Sequence, residues 1–139
     1  MLHNHRFRCW RRAGHGRVRL ERSLEVSCDV YYYLLGQRLG IHGMAAWLER
    51  FGFGSSTGLG VASEARGLIG TPEWSERVRG TPWYPGEAVS VSIGQGPLLS
   101  TALQLARGYA AIANGGRLVL PHLVPPPEST PAVDLELDP

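Results

Sequence analysis

Apolar residues recur at helical spacing in three stretches of the chain. Tyr31, Leu34, Leu35 and Leu39 share one helical face, and Gly40 followed by Ile41 is the pattern of a glycine C′ residue with an apolar neighbour beyond it, which predicts a helix over 30–39. Met44, Trp47, Leu48 and Phe51 repeat at i, i+3, i+4 and i+7, and Gly52-Phe53 supplies the same ending. A second short helix therefore follows directly, and the two form a helical hairpin. The clearest stretch is the third. Thr101 and Gln104 make a Thr-x-x-Gln capping box ahead of a run in which Leu105, Tyr109 and Ile112 share a face, ending at Asn114-Gly115-Gly116.

Between these helices the pattern is weaker. Residues 54–98 alternate glycine, proline and tryptophan with short apolar stretches, which reads as mostly irregular chain. Only 88–93 has period-two alternation, with Val89, Val91 and Ile93 on one side, which predicts a strand. A second short strand is predicted over 118–120. Trp47, Phe51 and Phe53 read as core, and Trp74 and Trp83 as side chains packed under loops. From Pro125 the chain turns proline-rich and acidic, and 125–139 is expected to be disordered.

Hydrophobic residues make up 43% of the 139, enough to supply the core of one ordinary domain. The longest apolar run, Val30 to Leu35, falls far short of the roughly 20 residues of a membrane span, and the arginine- and histidine-bearing start has no apolar signal-peptide core. No leader or anchor is expected within this sequence. The net charge of +2 conceals two unlike ends: residues 6–22 hold seven arginines against one glutamate, and 128–139 hold four acids and no base. All fourteen basic residues are arginine; the sequence contains no lysine.

Several motifs invite chemistry. Gly54-Ser55-Ser56-Thr57-Gly58 matches Gly-x-Ser-x-Gly, but a nucleophile elbow needs a strand before it and a helix after, and here a predicted helix precedes and irregular chain follows. It reads as a glycine-rich loop. Gly94-Gln95-Gly96 lacks the Gly-Lys-Ser/Thr of a phosphate loop. Cys9, His15 and Cys28 offer two soft ligands and one borderline ligand, and Gly14 and Gly16 leave the backbone free to turn the imidazole inward. These ligand types suit zinc, while a Cys9–Cys28 disulfide and two unpaired thiols are the alternatives. With the arginines, the same residues could make a small zinc-bearing, nucleic-acid-binding module. Their spacing matches no zinc finger, however, and Phe7 and Trp10 are the only aromatics near for base stacking, so a solvated arginine face is favoured. Ser27 and Asp29 could each cap the helix that begins near Val30.

The order of short words along the chain adds a family. Gly14-His15-Gly16, Ser27-Cys28-Asp29, Phe51-Gly52-Phe53-Gly54 and Ile93-Gly94-Gln95-Gly96 stand in sequence, with Cys9-Trp10, Arg22-Ser23-Leu24, Thr57-Gly58, Trp83-Tyr84-Pro85-Gly86-Glu87, Leu103-Gln104, Asn114-Gly115-Gly116 and Pro121-His122-Leu123 around them. Over about residues 7–124 this resembles the transpeptidase domain of penicillin-binding protein 2, leaving 1–6 unassigned and 125–139 as a tail. The resemblance implies an α+β parent domain, of the penicillin-binding protein and β-lactamase-like fold, with helices flanking a mainly antiparallel sheet. This segment would hold its mainly α-helical part, with long irregular loops and at most two short strands.

It also implies a reaction, in which a serine attacks the D-Ala-D-Ala end of a peptidoglycan stem peptide and an amine of a neighbouring stem resolves the acyl-enzyme. Family chemistry uses a Ser-x-x-Lys nucleophile, a Ser-x-Asn-type element and a Lys-Thr-Gly strand. Without lysine only the second exists here, as Ser27-Cys28-Asp29, so the chain alone is expected to be inactive. Ser27 becomes a candidate proton relay and Asp29 its polar neighbour; an ionised Asp accepts hydrogen bonds but cannot donate one to a substrate carbonyl. By resemblance the family carries a structural zinc held by two Asp, a His and a Cys. His15 and Cys28 fall on the last two, and Cys9 falls on an Asp position. The parent would bind penicillin and other β-lactams, sit on the periplasmic face of the bacterial inner membrane, and serve cell-wall elongation and cell shape beside a polytopic glycosyltransferase.

Overall fold

A computed structural model of the chain describes residues 6–124 and 132–137. Its helices are α1 (Leu20–Glu25), α2 (Asp29–Arg50), α3 (Pro72–Trp74), which runs on into a π-helical turn over Ser75–Arg79, α4 (Pro85–Val91) and α5 (Ala102–Ala113). Among the described residues strand is confined to two antiparallel two-residue ladders. β1 (Leu68–Ile69) pairs with β2 (Leu98–Leu99), and β3 (Arg117–Leu118) pairs with β4 (Val133–Asp134). The mainly helical, loop-rich character expected of this chain is what it shows. The chain divides into two compact units, one of residues 1–44 and 70–97, the other of 45–69 and 98–139.

In the first unit α1 reaches α2 through Ser23. This side chain is wholly buried, donates to Leu20 O at 2.7 Å, and lies 3.1 Å from the Tyr32 hydroxyl. Gly36 lets α2 approach the end of α4, since a Cβ there would fall 2.3 Å from Ser92 Cβ. The predicted helix end at Gly40 is real. That residue alone breaks α2, at φ 68° and ψ 170°, and the next helical segment begins without an intervening loop.

The strand predicted over 88–93 is instead the end of helix α4, through Val91, followed by a turn at Ser92 and Ile93. Pro85 sits in the first turn with its φ already fixed, and the Glu87 carboxylate accepts the Tyr84 N–H at 2.8 Å, which together start a helix. Val89 and Val91 are buried, at 1% and 4% exposure, but on a helix. Their β propensity is a weak preference that packing overrides. Glu87 also pairs with Arg79 at 2.6 Å, and Arg79 donates to the buried Ser75 hydroxyl, so the π-helical turn and α4 share one polar network.

In the second unit the end of α2 is a Schellman turn, with Phe53 N–H on Leu48 O at 3.0 Å, Gly52 N–H on Glu49 O at 2.9 Å, and Gly52 at φ 80°. The predicted capping box opens α5: Gln104 N–H reaches Thr101 Oγ1 at 3.1 Å and Thr101 N–H reaches Gln104 Oε1 at 2.9 Å. Ala111, Leu118 and Leu135 form a buried cluster, flanked by Phe51 and Leu137. Leu135 corrects the expectation for the tail. Residues 125–131 and 138–139 lie outside the described residues, but within 132–137 Val133–Asp134 pairs with β3, and Leu135 N–H bonds Gly116 O at 2.8 Å. A composition rich in proline and acid hid two leucines with an apolar site to fill.

The apolar face predicted for α5 is not its buried one. Gln104, Gly108 and Ala111 are buried, while Leu105, Tyr109 and Ile112 are 44%, 73% and 63% exposed. Trp47, read as core, is 41% exposed.

Candidate functional site

Three residues singled out in the sequence come together in the first unit. Ligand atoms of Cys9, His15 and Cys28 all lie within 4.8 Å of one another. Cys28 is buried, Cys9 and His15 are half-buried, and both thiols are free. His15 is flanked by glycines in left-handed conformation, Gly14 at φ 73° and Gly16 at φ 67°, and the Gly14 N–H closes a turn on Arg11 O at 2.9 Å. His15 Nδ1 is 3.5 Å from Cys9 Sγ, and its buried Nε2 has no hydrogen-bond partner among the described residues.

That donor set fits a zinc ion. Tetrahedral zinc bonds of about 2.0–2.3 Å place neighbouring ligand atoms about 3.3–3.8 Å apart, a small contraction from the observed cluster. The orphaned imidazole nitrogen is what a missing partner would leave. Two thiolates and one imidazole make three ligands, leaving a fourth position for water or another residue.

The same cluster adjoins Ser27-Cys28-Asp29. Ser27 is exposed and lies in the turn between α1 and α2 at φ 47°, a conformation that costs a non-glycine residue roughly 1–3 kcal/mol. Trp10 secures this turn. Its indole N–H donates to Val26 O and Ser27 O, each at 3.0 Å, and its backbone N–H donates to the Asp29 carboxylate at 3.1 Å. Asp29 opens α2, where the helix N-terminus favours negative charge, yet its carboxylate also ties down the chain beside Cys9. Burial first, then the negative charges of Asp29 and Cys9, push the Tyr33 phenol up from its ordinary value, so it stays protonated beside the site.

The sequence singled out Cys9, His15, Ser27, Cys28 and Asp29 but gave Trp10 no part beyond stacking. Its partners lie 16 to 19 residues away, and only the adjacency Cys9-Trp10 hinted at it. Gly54–Gly58 forms no elbow: α2 precedes it, irregular chain follows, and the Ser55 hydroxyl bonds back to Gly52 O.

Comparison with known proteins places this geometry in a family. Residues 2–134 match the penicillin binding protein transpeptidase domain, so the arginine-rich start lies inside the match. The chain is 46% identical over 121 residues to the peptidoglycan D,D-transpeptidase MrdA of Acinetobacter baumannii, covering 87% of this chain and 18% of that protein. The crystal structure of Pseudomonas aeruginosa PBP2 in complex with WCK 5153 superposes with a TM-score of 0.84 at 39% identity, over 96% of this chain and 31% of that one. PBP2 from Helicobacter pylori, in its complex with MreC, gives a TM-score of 0.88 at 31% identity, over 97% and 25%. The chain belongs to the penicillin-binding protein transpeptidase-domain family, within its penicillin-binding protein 2 group. It spans about a fifth of the length of the MrdA relative.

Proposed function

We propose that this chain is the second-motif segment of a serine-type D,D-transpeptidase that cross-links peptidoglycan stem peptides during elongation, with a structural zinc bracing the motif. One observation carries the reading. Cys28, a member of the Cys9–His15–Cys28 cluster, is also the middle residue of Ser27-Cys28-Asp29, in a chain that matches the transpeptidase domain over 2–134. Ser27, exposed and held at φ 47°, presents its hydroxyl to pass a proton between a lysine and the departing amine. Asp29 acts on the loop rather than the substrate, through the Trp10 N–H. Bound zinc would supply fixation of the Cys9 and Cys28 backbones and no step of the acyl transfer.

The acylated serine and the two lysines of the family chemistry belong to motifs that a lysine-free sequence cannot contain, so the chain alone forms no acyl-enzyme. Its place in a longer protein would be the periplasmic face of the inner membrane, beside a polytopic glycosyltransferase and open to β-lactams. Among the described residues no helix is long and apolar enough to cross a membrane. The test is incubation with a labelled β-lactam followed by intact-mass analysis. The chain alone should remain unmodified, and a chimera supplying Ser-x-x-Lys and Lys-Thr-Gly from a PBP2 relative should label at the supplied serine. Stoichiometric labelling of a serine in the chain alone would overturn the reading, as would a chimera whose labelling is unchanged by Ser27→Ala.

A further inference from the structure

We infer that Cys9 and Cys28 are an oxidisable dithiol, which a small-molecule disulfide of the glutathione class converts to an intramolecular disulfide stapling the Ser27-Cys28-Asp29 turn to the chain ahead of α1. Both thiols are free, and their sulfurs lie within 4.8 Å of each other. A disulfide needs about 2.05 Å, so one side must move. Cys28 is the fixed side. It is 6% exposed, its N–H bonds Ser23 O at 2.9 Å, and its carbonyl accepts the Tyr31 N–H at 3.1 Å. Cys9 is the more accessible side, half-buried in irregular chain before α1, and with Trp10 next to it tied to Asp29 the movement falls to a rotation of the Cys9 side chain.

This asymmetry sets the order of events. The Cys9 thiolate, the more accessible, attacks the external disulfide, forming a mixed disulfide and releasing one small thiol. The Cys28 thiolate then attacks the Cys9 sulfur, forming the Cys9–Cys28 bond and releasing the second small thiol. Two electrons pass from the cysteine pair to the external disulfide, and the two protons lost to solvent from the cysteines are balanced by those taken up by the released thiols. The new bond would run beside the contacts Trp10 already makes to Ser27 O and Asp29, so it reinforces an existing brace on the motif turn.

The inference goes beyond the zinc reading and does not depend on it, because it needs only the two sulfurs. The two are linked by competition, since a thiolate held by a metal is withheld from oxidation.

The experiment uses the full chain, reduced and stripped of metal with a chelator, then exposed to excess oxidised glutathione with timed N-ethylmaleimide quenching, intact-mass analysis and non-reducing peptide mapping. The expected product is a monomer that has lost two hydrogens, takes up no N-ethylmaleimide and yields a Cys9–Cys28 cross-linked peptide. Cys28→Ser should stop at a glutathione adduct on Cys9, and Cys9→Ser should leave Cys28 unmodified over the same period. Persistent adducts on both cysteines, covalent dimers, or two thiols still alkylated at the end would each overturn the inference. A parallel arm with one equivalent of Zn²⁺ alone should slow staple formation by about tenfold or more. A staple that forms equally fast with zinc upholds the dithiol and removes the zinc reading.

Discussion

The cysteine–histidine cluster of the first unit and the α5 face of the second are built on opposite terms. In the cluster three polar side chains from irregular chain and a helix start converge within 4.8 Å, and Trp10 beside them donates to Ser27 O and the Asp29 carboxylate. On the α5 face the side chains spread outward. Leu105, Tyr109 and Ile112, with Trp47, Leu48, Phe51, Phe53 and Gly108, line an apolar groove of about 310 Å³ that stays open to solvent. Polar geometry can be completed by a few residues close in sequence, whereas an apolar helix face is completed only by a second layer of structure. What holds α5 is therefore its other face, the polar and small one.

The largest effect should come from that hidden face. Gln104 is 1% exposed, and besides capping α5 its amide donates to Ser55 O at 2.7 Å and Arg66 O at 2.8 Å. Gln104→Ala strands three backbone groups and is expected to cost about 2–4 kcal/mol, read as a lowered urea midpoint. Gln104→Glu keeps the shape but cannot donate to either carbonyl, and should be at least as damaging. A loss below about 0.5 kcal/mol for both would mean the groove, not the buried face, anchors the helix.

On the cluster side, Cys28→Ser and His15→Ala should each weaken Zn²⁺ binding by about tenfold or more, measured by competition with a chromophoric chelator. Glu49→Gln, an exposed acid elsewhere, should leave it unchanged. Equal affinity in all three variants would dissolve the cluster as a metal site and leave it a coincidence of packing.

The same contrast explains what was legible in the sequence. Features fixed by local backbone chemistry could be read: the capping box at Thr101, the glycine ends at Gly40 and Gly52, and the glycine pair that flanks His15. Features fixed at long range could not. Leu135 accepts its place through β3 and Gly116, and the Arg50 guanidinium reaches its carbonyl from 85 residues away, while the local sequence advertised only proline and acid. Helices α1, α3 and α4 are too short to show periodicity, and for α4 the β-branched alternation pointed the wrong way although Pro85 and Glu87 marked its start. The amphipathicity of α5 was visible, but which face finds a partner is not written in a single helix.

A smaller, pH-gated effect belongs to Glu64, whose carboxylate receives both the N–H (2.7 Å) and the hydroxyl of buried Thr57. Those hydrogen bonds hold its pKa below the ordinary value, the Thr57 hydroxyl contributing most. Because the folded value is the lower one, the stabilisation is complete above the ordinary glutamate range, where both states are ionised. It shrinks as pH falls and the unfolded chain takes up its proton first, and it is gone below the folded value. Urea midpoints of wild type and Glu64→Gln should accordingly differ at pH 7 and converge as the pH falls below the ordinary glutamate range. A difference independent of pH would assign Glu64 a steric role instead.

The smallest effect is expected where sequence periodicity alone would place the largest. Ile112 is the terminal apolar residue of the α5 stripe, and a core isoleucine replaced by a charge would cost several kcal/mol. At 63% exposure it has little apolar area to lose, and Ile112→Lys near the helix C-terminus puts a cation where the helix dipole favours one. The expected change in unfolding free energy is within about 0.5 kcal/mol, and Tyr109→Lys, at 73% exposure, should behave alike. Binding of an apolar dye should drop in both, because each removes a wall of the groove while leaving Gln104, Gly108 and Ala111 in place. A loss above about 2 kcal/mol in either variant would show the groove closed in solution, and the contrast with the cysteine–histidine cluster would then fail on the α5 side.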